Sequence, residues 1–218
     1  MHARSRAREA RGTAQRIKDA SRSAADYLVA KHGYAKESFA NSVKDSVAAI
    51  FGWDRGMLEG DTAESRAIRE QPDAFWSEKL GRPFSPRMAL QLMGTEAGRD
   101  VFHPDLWIFT VLRRMQENKN YVLADVRFPN EIQRIRETGG KIIWVQRGPT
   151  PHWYGVAEQA NRGDTKAMGW LQKEGIHASE YSWAGTNFDK IVVNNGSIEN
   201  LYDSLKSLVL ADSVAKVA

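Results

Sequence analysis

Residues able to bind phosphate and metal follow one short apolar run of this sequence. The run 121–124 ends at Asp125, and Arg127, Asn130 and Glu131 come next. A short apolar run is typical of a buried parallel strand, and open α/β sheets bind ligands beyond the carboxyl ends of such strands. A carboxylate placed there can hold a metal ion, and a neighbouring arginine can bind phosphate through two hydrogen bonds. We therefore predict Asp125 as catalytic and metal-binding, Arg127 as catalytic, and Asn130 and Glu131 as substrate contacts. The alternative is a capped strand end with a surface salt bridge.

A second group of such residues begins at Gly94 and continues with Thr95, Glu96, Arg99 and Trp107. A glycine lets the backbone approach a ligand closely, and the threonine and the glutamate offer hydrogen bonds. The arginine offers a fork for phosphate, and the tryptophan offers a face on which a base can stack. The group predicts a substrate-binding segment. The alternative is a helix that ends at Gly94 with incidental polar neighbours.

Weaker candidates lie outside these two groups. Phe39 is predicted to contact a base, and Lys44 and Arg87 are predicted to contact the substrate; a core phenylalanine and a solvated lysine are the alternative. His177 closes the long segment 148–176 and is either a ligand contact or an exposed histidine. The five histidines have neither the order of a Ser-His-Asp triad nor zinc-binding spacing.

Composition limits the class of protein. The chain has 218 residues, 42% hydrophobic and 27% charged, which fits one α/β domain with a modest insertion. It has no cysteine, which excludes disulfides, thiolate metal sites and a cysteine nucleophile and fits a reducing cytoplasm. No apolar run approaches the roughly 18 residues of a membrane span, and the N-terminus lacks the apolar core of a signal peptide.

The positive charge is concentrated in residues 1–22. This segment carries six arginines and one lysine against two acids, a net charge of +5 within a total of +4. A basic arm of this kind can contact nucleic acid or another polyanion. The alternative is a solvated tail.

Hydrophobic periodicity predicts strands and helices that alternate in the second half of the chain, which favours a parallel sheet in a three-layer α/β fold. Predicted strands lie at 121–124, 141–146 and 190–193. Predicted helices lie at 17–32, 39–51, 63–68, 74–80, 86–93, 107–118, 130–138 and 198–210. We predict a basic arm at 1–22 and a domain at 23–218, in which 53–85 form a helical excursion and 148–176 a lid-like segment.

Several stretches resemble the phage-type deoxynucleoside monophosphate kinases. They read ADYLVAKHGYAKESFANSVKDSVAAIFG, GTEAGR with HPDLWI, YVLADVRFPNEIQRIRETGGKIIWVQR, HASEYSW and FDKIVVNNGSIENLYDSL. They run from Ala24 to about Leu208 in the family's order. The resemblance implies a P-loop nucleotide kinase fold that uses ATP and Mg²⁺ to phosphorylate a deoxynucleoside monophosphate. It also implies a lid, to which Arg147, Arg162, Lys166 and His177 are assigned.

The sequence departs from the family where the phosphate loop belongs. No glycine lies between Gly12 and Gly33. Alignment on the following helix places Ala20 where a glycine belongs, Ser21 where the lysine belongs and Ser23 where the metal-binding hydroxyl belongs. A phosphate loop needs glycines for its cradle of amides and a lysine for the β- and γ-phosphates. Ser23 is nevertheless predicted as a metal contact.

Three functions follow from these observations. The first is an active kinase with a divergent ATP site. We expect such a kinase in the cytoplasm, or in the host cytoplasm if a phage encodes it. We also expect it to be a monomer or homodimer without membrane contact. The second is a nucleotide-binding relative that has lost phosphoryl transfer. The third is a nucleic-acid-associated module held by the basic arm. The length of the resemblance favours the first.

Overall fold

The computed structural model describes residues 19–215, so most of the predicted basic arm lies outside the described residues. These residues divide into two compact units. One contains residues 19–36 and 118–215, and the other contains residues 37–117. We call them the strand unit and the helical unit.

The strand unit is mixed α/β. Helix α1 covers residues 19–32 and is followed by strand β1 (Ala35–Glu37), whose last residue is assigned to the helical unit. The remaining elements are, in chain order, β2 (Tyr121–Leu123), α7 (Pro129–Glu137), β3 (Ile143–Gln146), α8 (Tyr154–Asn161), α9 (Thr165–Lys173), α10 (Ala178–Tyr181), β4 (Lys190–Val193) and α11 (Ile198–Ala215).

The described strands form two small sheets. Strand β1 pairs with β2, and β3 pairs with β4. The β3–β4 pair is parallel, with Ile143 opposite Lys190 and Gln146 opposite Val193. The mixed α/β class is confirmed, whereas a continuous three-layer sheet is not confirmed, because among residues 19–215 each sheet has two strands.

Helices α1 and α11 contribute to the same core as the second sheet. This core consists of Ala20, Ala24, Val145, Val192, Leu201 and Leu205. The ring of Tyr27 on α1 stacks on that of Tyr202 on α11, with centroids 4.3 Å apart. These contacts bring the beginning of α1 close to β3.

Segment 148–176 is more ordered than its weak pattern predicts. It folds into α8 and α9, which pack through small residues, including Ala157, Ala160 and Ala167, and through Leu171. Asp164 caps α9 because its carboxylate accepts the amide hydrogens of Lys166 and Ala167. Small residues allow helices to approach closely without an obvious apolar stripe, so periodicity alone did not reveal the pair.

The helical unit contains α2 (Ala40–Phe51), a 3₁₀ turn at Gly56–Leu58, α3 (Ala63–Glu70), α4 (Ala74–Leu80), α5 (Pro86–Leu92), a π-helical segment at Met93–Phe102 and α6 (Leu106–Arg114). Part of its core consists of Val47, Leu58, Phe84 and Ala89. Asp73 caps α4 and also accepts the indole N–H of Trp53 at 2.9 Å. Hydrogen bonds from the Trp76 amide and this indole hold the pKa of Asp73 below its usual value.

The predicted helix 86–93 does not end at Gly94. It continues as the π-helical segment, and the following helix ends at Arg114 rather than at residue 118. None of the described helices is long and apolar enough to cross a membrane.

Candidate functional site

A cavity of about 120 Å³ lies in the strand unit where β2 ends. Its polar lining residues come from three parts of the chain: Ser21 of α1, Asp125 and Arg127 after β2, and Ser179 and Glu180 of α10. The structure therefore brings the two predicted catalytic residues together in one cavity. It adds Ser21, which the resemblance aligns with the phosphate-loop lysine, and two residues of the HASEYSW stretch.

Glu131 fixes the backbone on which Arg127 lies. Its side chain is 2% exposed, and its carboxylate accepts the amide hydrogens of Arg127 at 2.8 Å and Phe128 at 3.0 Å. Pro129 begins α7 with a fixed φ, and a carboxylate in the first turn interacts favourably with the helix dipole. Glu131 therefore positions the arginine, and its own predicted contact with substrate stays a prediction, as does that of the half-buried Asn130.

The residues aligned with the phosphate loop are helical. Residues 19–23 belong to α1, and the Ser23 hydroxyl donates to the Asp19 carbonyl at 3.0 Å. A phosphate cradle requires successive amides in a loop, which a helical turn does not offer. The described part of the chain therefore does not fit the triphosphate of ATP in the manner of a phosphate loop. Ser21, not Ser23, lines the cavity.

Mg²⁺ fits the polar wall of the cavity better. It prefers oxygen ligands and is commonly bound by one or two carboxylates together with substrate phosphates. Asp125 and Glu180 supply two such carboxylates beside the same cavity. Within residues 19–215 no group of three histidine, aspartate or glutamate side chains is placed to hold a metal by itself. The arrangement suits a metal that arrives with a phosphate ligand.

Lys44 lies in the helical unit and has a close ion-pair partner. Its ammonium is 2.7 Å from the Glu59 carboxylate. The same carboxylate accepts a hydrogen bond from the Arg55 guanidinium, and this guanidinium also lies 2.5 Å from the Asp45 carboxylate. Burial acts to raise the pKa of Glu59, but the hydrogen bonds from Lys44 and Arg55 outweigh it and lower the pKa. A substrate phosphate would have to compete with Glu59 for Lys44, whose role in binding stays a prediction.

The GTEAGR segment is folded against Trp107. The indole N–H of this tryptophan donates to the Gly94 carbonyl at 2.9 Å, and its ring is 5% exposed. A Cβ atom at Gly98 would lie 2.3 Å from the ring, so the close approach requires glycine. The structure thus gives Trp107 a packing role, and its predicted stacking on a base stays a prediction.

The other residues of this segment surround the packed ring. Thr95 and Arg99 are half-buried and Glu96 is exposed, and the Arg99 guanidinium donates to the Pro104 carbonyl at 3.2 Å. π-Helical geometry is rare and is often found at functional sites. The predicted contacts of all three residues with substrate stay predictions.

Phe39 and Arg87 lie in the helical unit. Phe39 is 5% exposed and belongs to the core, and its predicted contact with a base stays a prediction. Arg87 is exposed and lines a separate cleft of about 320 Å³ in the helical unit, together with Arg82, Ser85 and Gln91.

The four residues assigned to the lid lie in the strand unit. Arg147, Arg162 and Lys166 are exposed and near the ends of β3, α8 and α9. His177 caps α10: its Nδ1 accepts the Ser179 amide hydrogen at 3.2 Å and lies 2.9 Å from the Ser179 hydroxyl. Closure of this region stays a prediction.

Sequence reasoning missed the aromatic wall of the cavity. Trp144, Trp153, Trp183 and Phe188 line it, and their rings contact one another. The HASEYSW motif and its neighbour Phe188 were visible in the sequence, but nothing local indicated that Trp144 and Trp153 would join them.

Comparison with known proteins extends these observations. The chain matches no protein-family model. It is 28% identical over 201 residues to an Acanthamoeba polyphaga mimivirus protein named "Putative deoxynucleotide monophosphate kinase", over 85% of this chain and 88% of that protein. It is 43% identical over 56 residues to the "Deoxynucleoside-5'-monophosphate kinase" of Escherichia phage T5, over 25% of this chain and 22% of the phage protein.

Proposed function

We propose that this chain is a phosphotransferase acting on a deoxynucleoside monophosphate. Its resemblance to the phage-type deoxynucleoside monophosphate kinases is confirmed by the mimivirus and T5 proteins. ATP is the proposed phosphoryl donor and Mg²⁺ the proposed metal. We further propose the P-loop kinase fold and action in the cytoplasm.

The observation that carries the proposal is the convergence of Asp125, Arg127, Ser21 and Glu180 on one cavity. Arg127 would bind the phosphate of the monophosphate through its planar fork. Asp125 and Glu180 would hold Mg²⁺, which neutralises charge on phosphate oxygens when bound. Positioning and charge stabilisation account for most of phosphoryl-transfer catalysis, so this set of groups matches the needs of the reaction.

A second candidate function is supported by α1. Because residues 19–23 are helical, the chain offers no described cradle for a triphosphate. A protein that binds the monophosphate without transferring phosphate would have the same acceptor-side groups. The contact of the basic arm with nucleic acid also stays a prediction, since residues 1–18 lie outside the described part.

A coupled assay of ATP consumption with the four deoxynucleoside monophosphates and Mg²⁺ tests the first function. Asp125→Asn keeps the size of the side chain and removes its charge, and we expect turnover to fall by at least about a hundredfold, the scale for losing one electrostatic contact in a transition state. Its melting temperature should stay close to that of the wild type.

The matched control is Asp203→Asn, which removes an exposed carboxylate from α11. Its turnover should equal that of the wild type. Absence of turnover in the wild type, with monophosphate binding intact, would favour the second function. Full turnover of Asp125→Asn at saturating Mg²⁺ would exclude this residue from the metal site.

A further inference from the structure

Helix α10 is a single turn of four residues, and it contains Ser179 and Glu180, which line the cavity of the strand unit. An α-helix leaves its first four N–H groups and its last four carbonyls without partners inside the helix. A helix as short as α10 is therefore not stable by itself in water. The position of Glu180 depends on groups outside α10.

His177 binds the beginning of α10. Its Nδ1 accepts the Ser179 amide hydrogen at 3.2 Å and lies 2.9 Å from the Ser179 hydroxyl. The His177 ring is exposed and lies outside the lining of the cavity as the described residues form it. This histidine therefore acts on the cavity through the backbone of α10.

Asn161, the last residue of α8, binds the other end of α10. Its side-chain amide donates to the carbonyls of Tyr181 at 3.1 Å, Ser182 at 3.3 Å and Ala184 at 2.9 Å. These carbonyls belong to the end of the helix and to the residues just after it, where a helix has no partners of its own. Like His177, Asn161 lies outside the lining formed by the described residues.

Trp183 binds α10 between these two ends. Its indole N–H donates to the carbonyl of Glu180 at 2.6 Å, and its ring lies 5.2 Å from the Trp144 ring and 6.3 Å from the Phe188 ring between centroids. The backbone of Glu180 is thus attached to the aromatic wall of the cavity. Three side chains from outside α10 hold its beginning, its middle and its end.

We propose that Asn161 and His177 are positioning residues for metal binding. By fixing the two ends of α10 they place the Glu180 carboxylate where it shares Mg²⁺ with Asp125. The inference rests on the proposed function, in which both carboxylates hold the metal. Groups that orient a metal ligand strongly affect the affinity for the metal, and loss of one typically weakens binding by about tenfold to a hundredfold.

Binding of Mn²⁺ to the full chain tests the proposal without requiring turnover. Mn²⁺ prefers the same oxygen ligands as Mg²⁺, and its binding is followed by electron paramagnetic resonance. Each of the four deoxynucleoside monophosphates is present in turn, and ATP is left out. The wild type should bind Mn²⁺ with at least one of them.

Two variants remove the donors of Asn161. Asn161→Asp keeps the size of the side chain but cannot donate, because a carboxylate only accepts hydrogen bonds. Asn161→Ala removes the donors without adding charge. We expect each variant to weaken Mn²⁺ binding by about tenfold or more. The matched control is Gln159→Ala, which truncates an exposed residue of the same helix and should bind Mn²⁺ as the wild type does.

Replacement of His177 separates capping from direct contact with a ligand. His177→Ala removes the acceptor and should weaken Mn²⁺ binding. His177→Asn should restore most of the affinity, because asparagine is among the best residues for capping the beginning of a helix. If asparagine were no better than alanine, the capping role of His177 would be refuted.

Glu180→Gln distinguishes positioning from a general structural role. In a chain that already lacks the Glu180 charge, Asn161→Asp should weaken Mn²⁺ binding little further, so the two changes should be clearly non-additive. A residue that only stabilised the unit would weaken binding by the same factor in both backgrounds. Additive effects would therefore overturn the inference, as would full Mn²⁺ affinity in both Asn161 variants.

Hydrogen exchange of the wild type provides a measurement that does not depend on the folding of any variant. Binding of Mn²⁺ with a monophosphate should slow exchange of the α10 amides, because a metal held by Glu180 restrains this turn. Unchanged exchange, or no Mn²⁺ binding with any monophosphate, would overturn the inference.

The same measurements separate this inference from the proposed kinase activity. Mn²⁺ binding that depends on Asn161 and His177 as expected, in a chain that transfers no phosphate, would refute the kinase activity alone. Phosphoryl transfer combined with additive effects of Asn161→Asp and Glu180→Gln would refute the positioning role alone.

Discussion

Replacement of Glu131 by alanine should destabilise the strand unit and release the segment that carries Arg127. The Glu131 carboxylate is 2% exposed and accepts the amide hydrogens of Arg127 and Phe128 at 2.8 and 3.0 Å. Alanine offers no acceptor, so both amides would lose a charged partner in a buried position.

The magnitude follows from these two hydrogen bonds. A hydrogen bond to a charged group contributes about 1.5–3 kcal/mol, and the two bonds end on the same oxygen, so we expect about 3–5 kcal/mol in total for Glu131→Ala. Glu131→Gln keeps an oxygen that can accept both amides without the charge, and neutral bonds are about half as strong. We therefore expect a loss of about 1.5–2.5 kcal/mol for Glu131→Gln.

Urea unfolding followed by circular dichroism measures both variants. Glu137→Ala is the matched control, because this exposed glutamate lies on the same helix and pairs at the surface with Arg134; its unfolding free energy should stay within about 0.5 kcal/mol of the wild type. If Glu131→Ala were as stable as Glu137→Ala, the carboxylate would not hold the 127–128 backbone, and the positioning argument would be wrong.

Two further predictions concern the helical unit. Gly98→Ala places a Cβ atom 2.3 Å from the Trp107 ring and 2.7 Å from the Met93 carbonyl, and we expect a loss of about 1–3 kcal/mol in urea unfolding. Gly155→Ala meets nothing within 4 Å and should cause no loss; equal stability of the two variants would refute the close packing at Gly98. The pKa of Glu59 is lowered in the folded protein, so its ion pairs stabilise the fold fully at pH values above its usual pKa of 4.5. This stabilisation is lost as the pH falls through the folded-state pKa. The stability difference between the wild type and Glu59→Gln should therefore narrow below about pH 4.5, and a difference that stayed constant down to about pH 3 would contradict it.

The sequence by itself determined the local elements and the place of the catalytic candidates. Residues 74–80 and 190–193 form the predicted helix and strand at the predicted bounds, and Asp125 follows a strand as its apolar run indicated. Helix-capping residues, glycine stops and apolar periodicity act over a few residues, so they can be interpreted without the rest of the chain.

Only the tertiary structure decided how those elements meet. Ser21, Asp125, Trp144 and Trp153 are distant in sequence, yet they line the same cavity. The same holds for hydrogen bonding. No short stretch of sequence shows that the Trp107 indole N–H donates to the Gly94 carbonyl. Nor does it show that the Glu131 carboxylate accepts two backbone amide hydrogens.

The physical reason is that a sequence pattern fixes which face of an element is apolar, but not which partner covers it. A polar side chain can bind substrate only if its hydrogen-bonding atoms are not already bound to other groups of the folded chain. Glu131 and Trp107 bind nearby backbone groups, whereas the indole N–H groups of Trp144 and Trp153, which line the cavity, have no hydrogen-bond partner within residues 19–215. That distinction depends on contacts between distant residues, and so it arose from the packing of the whole unit.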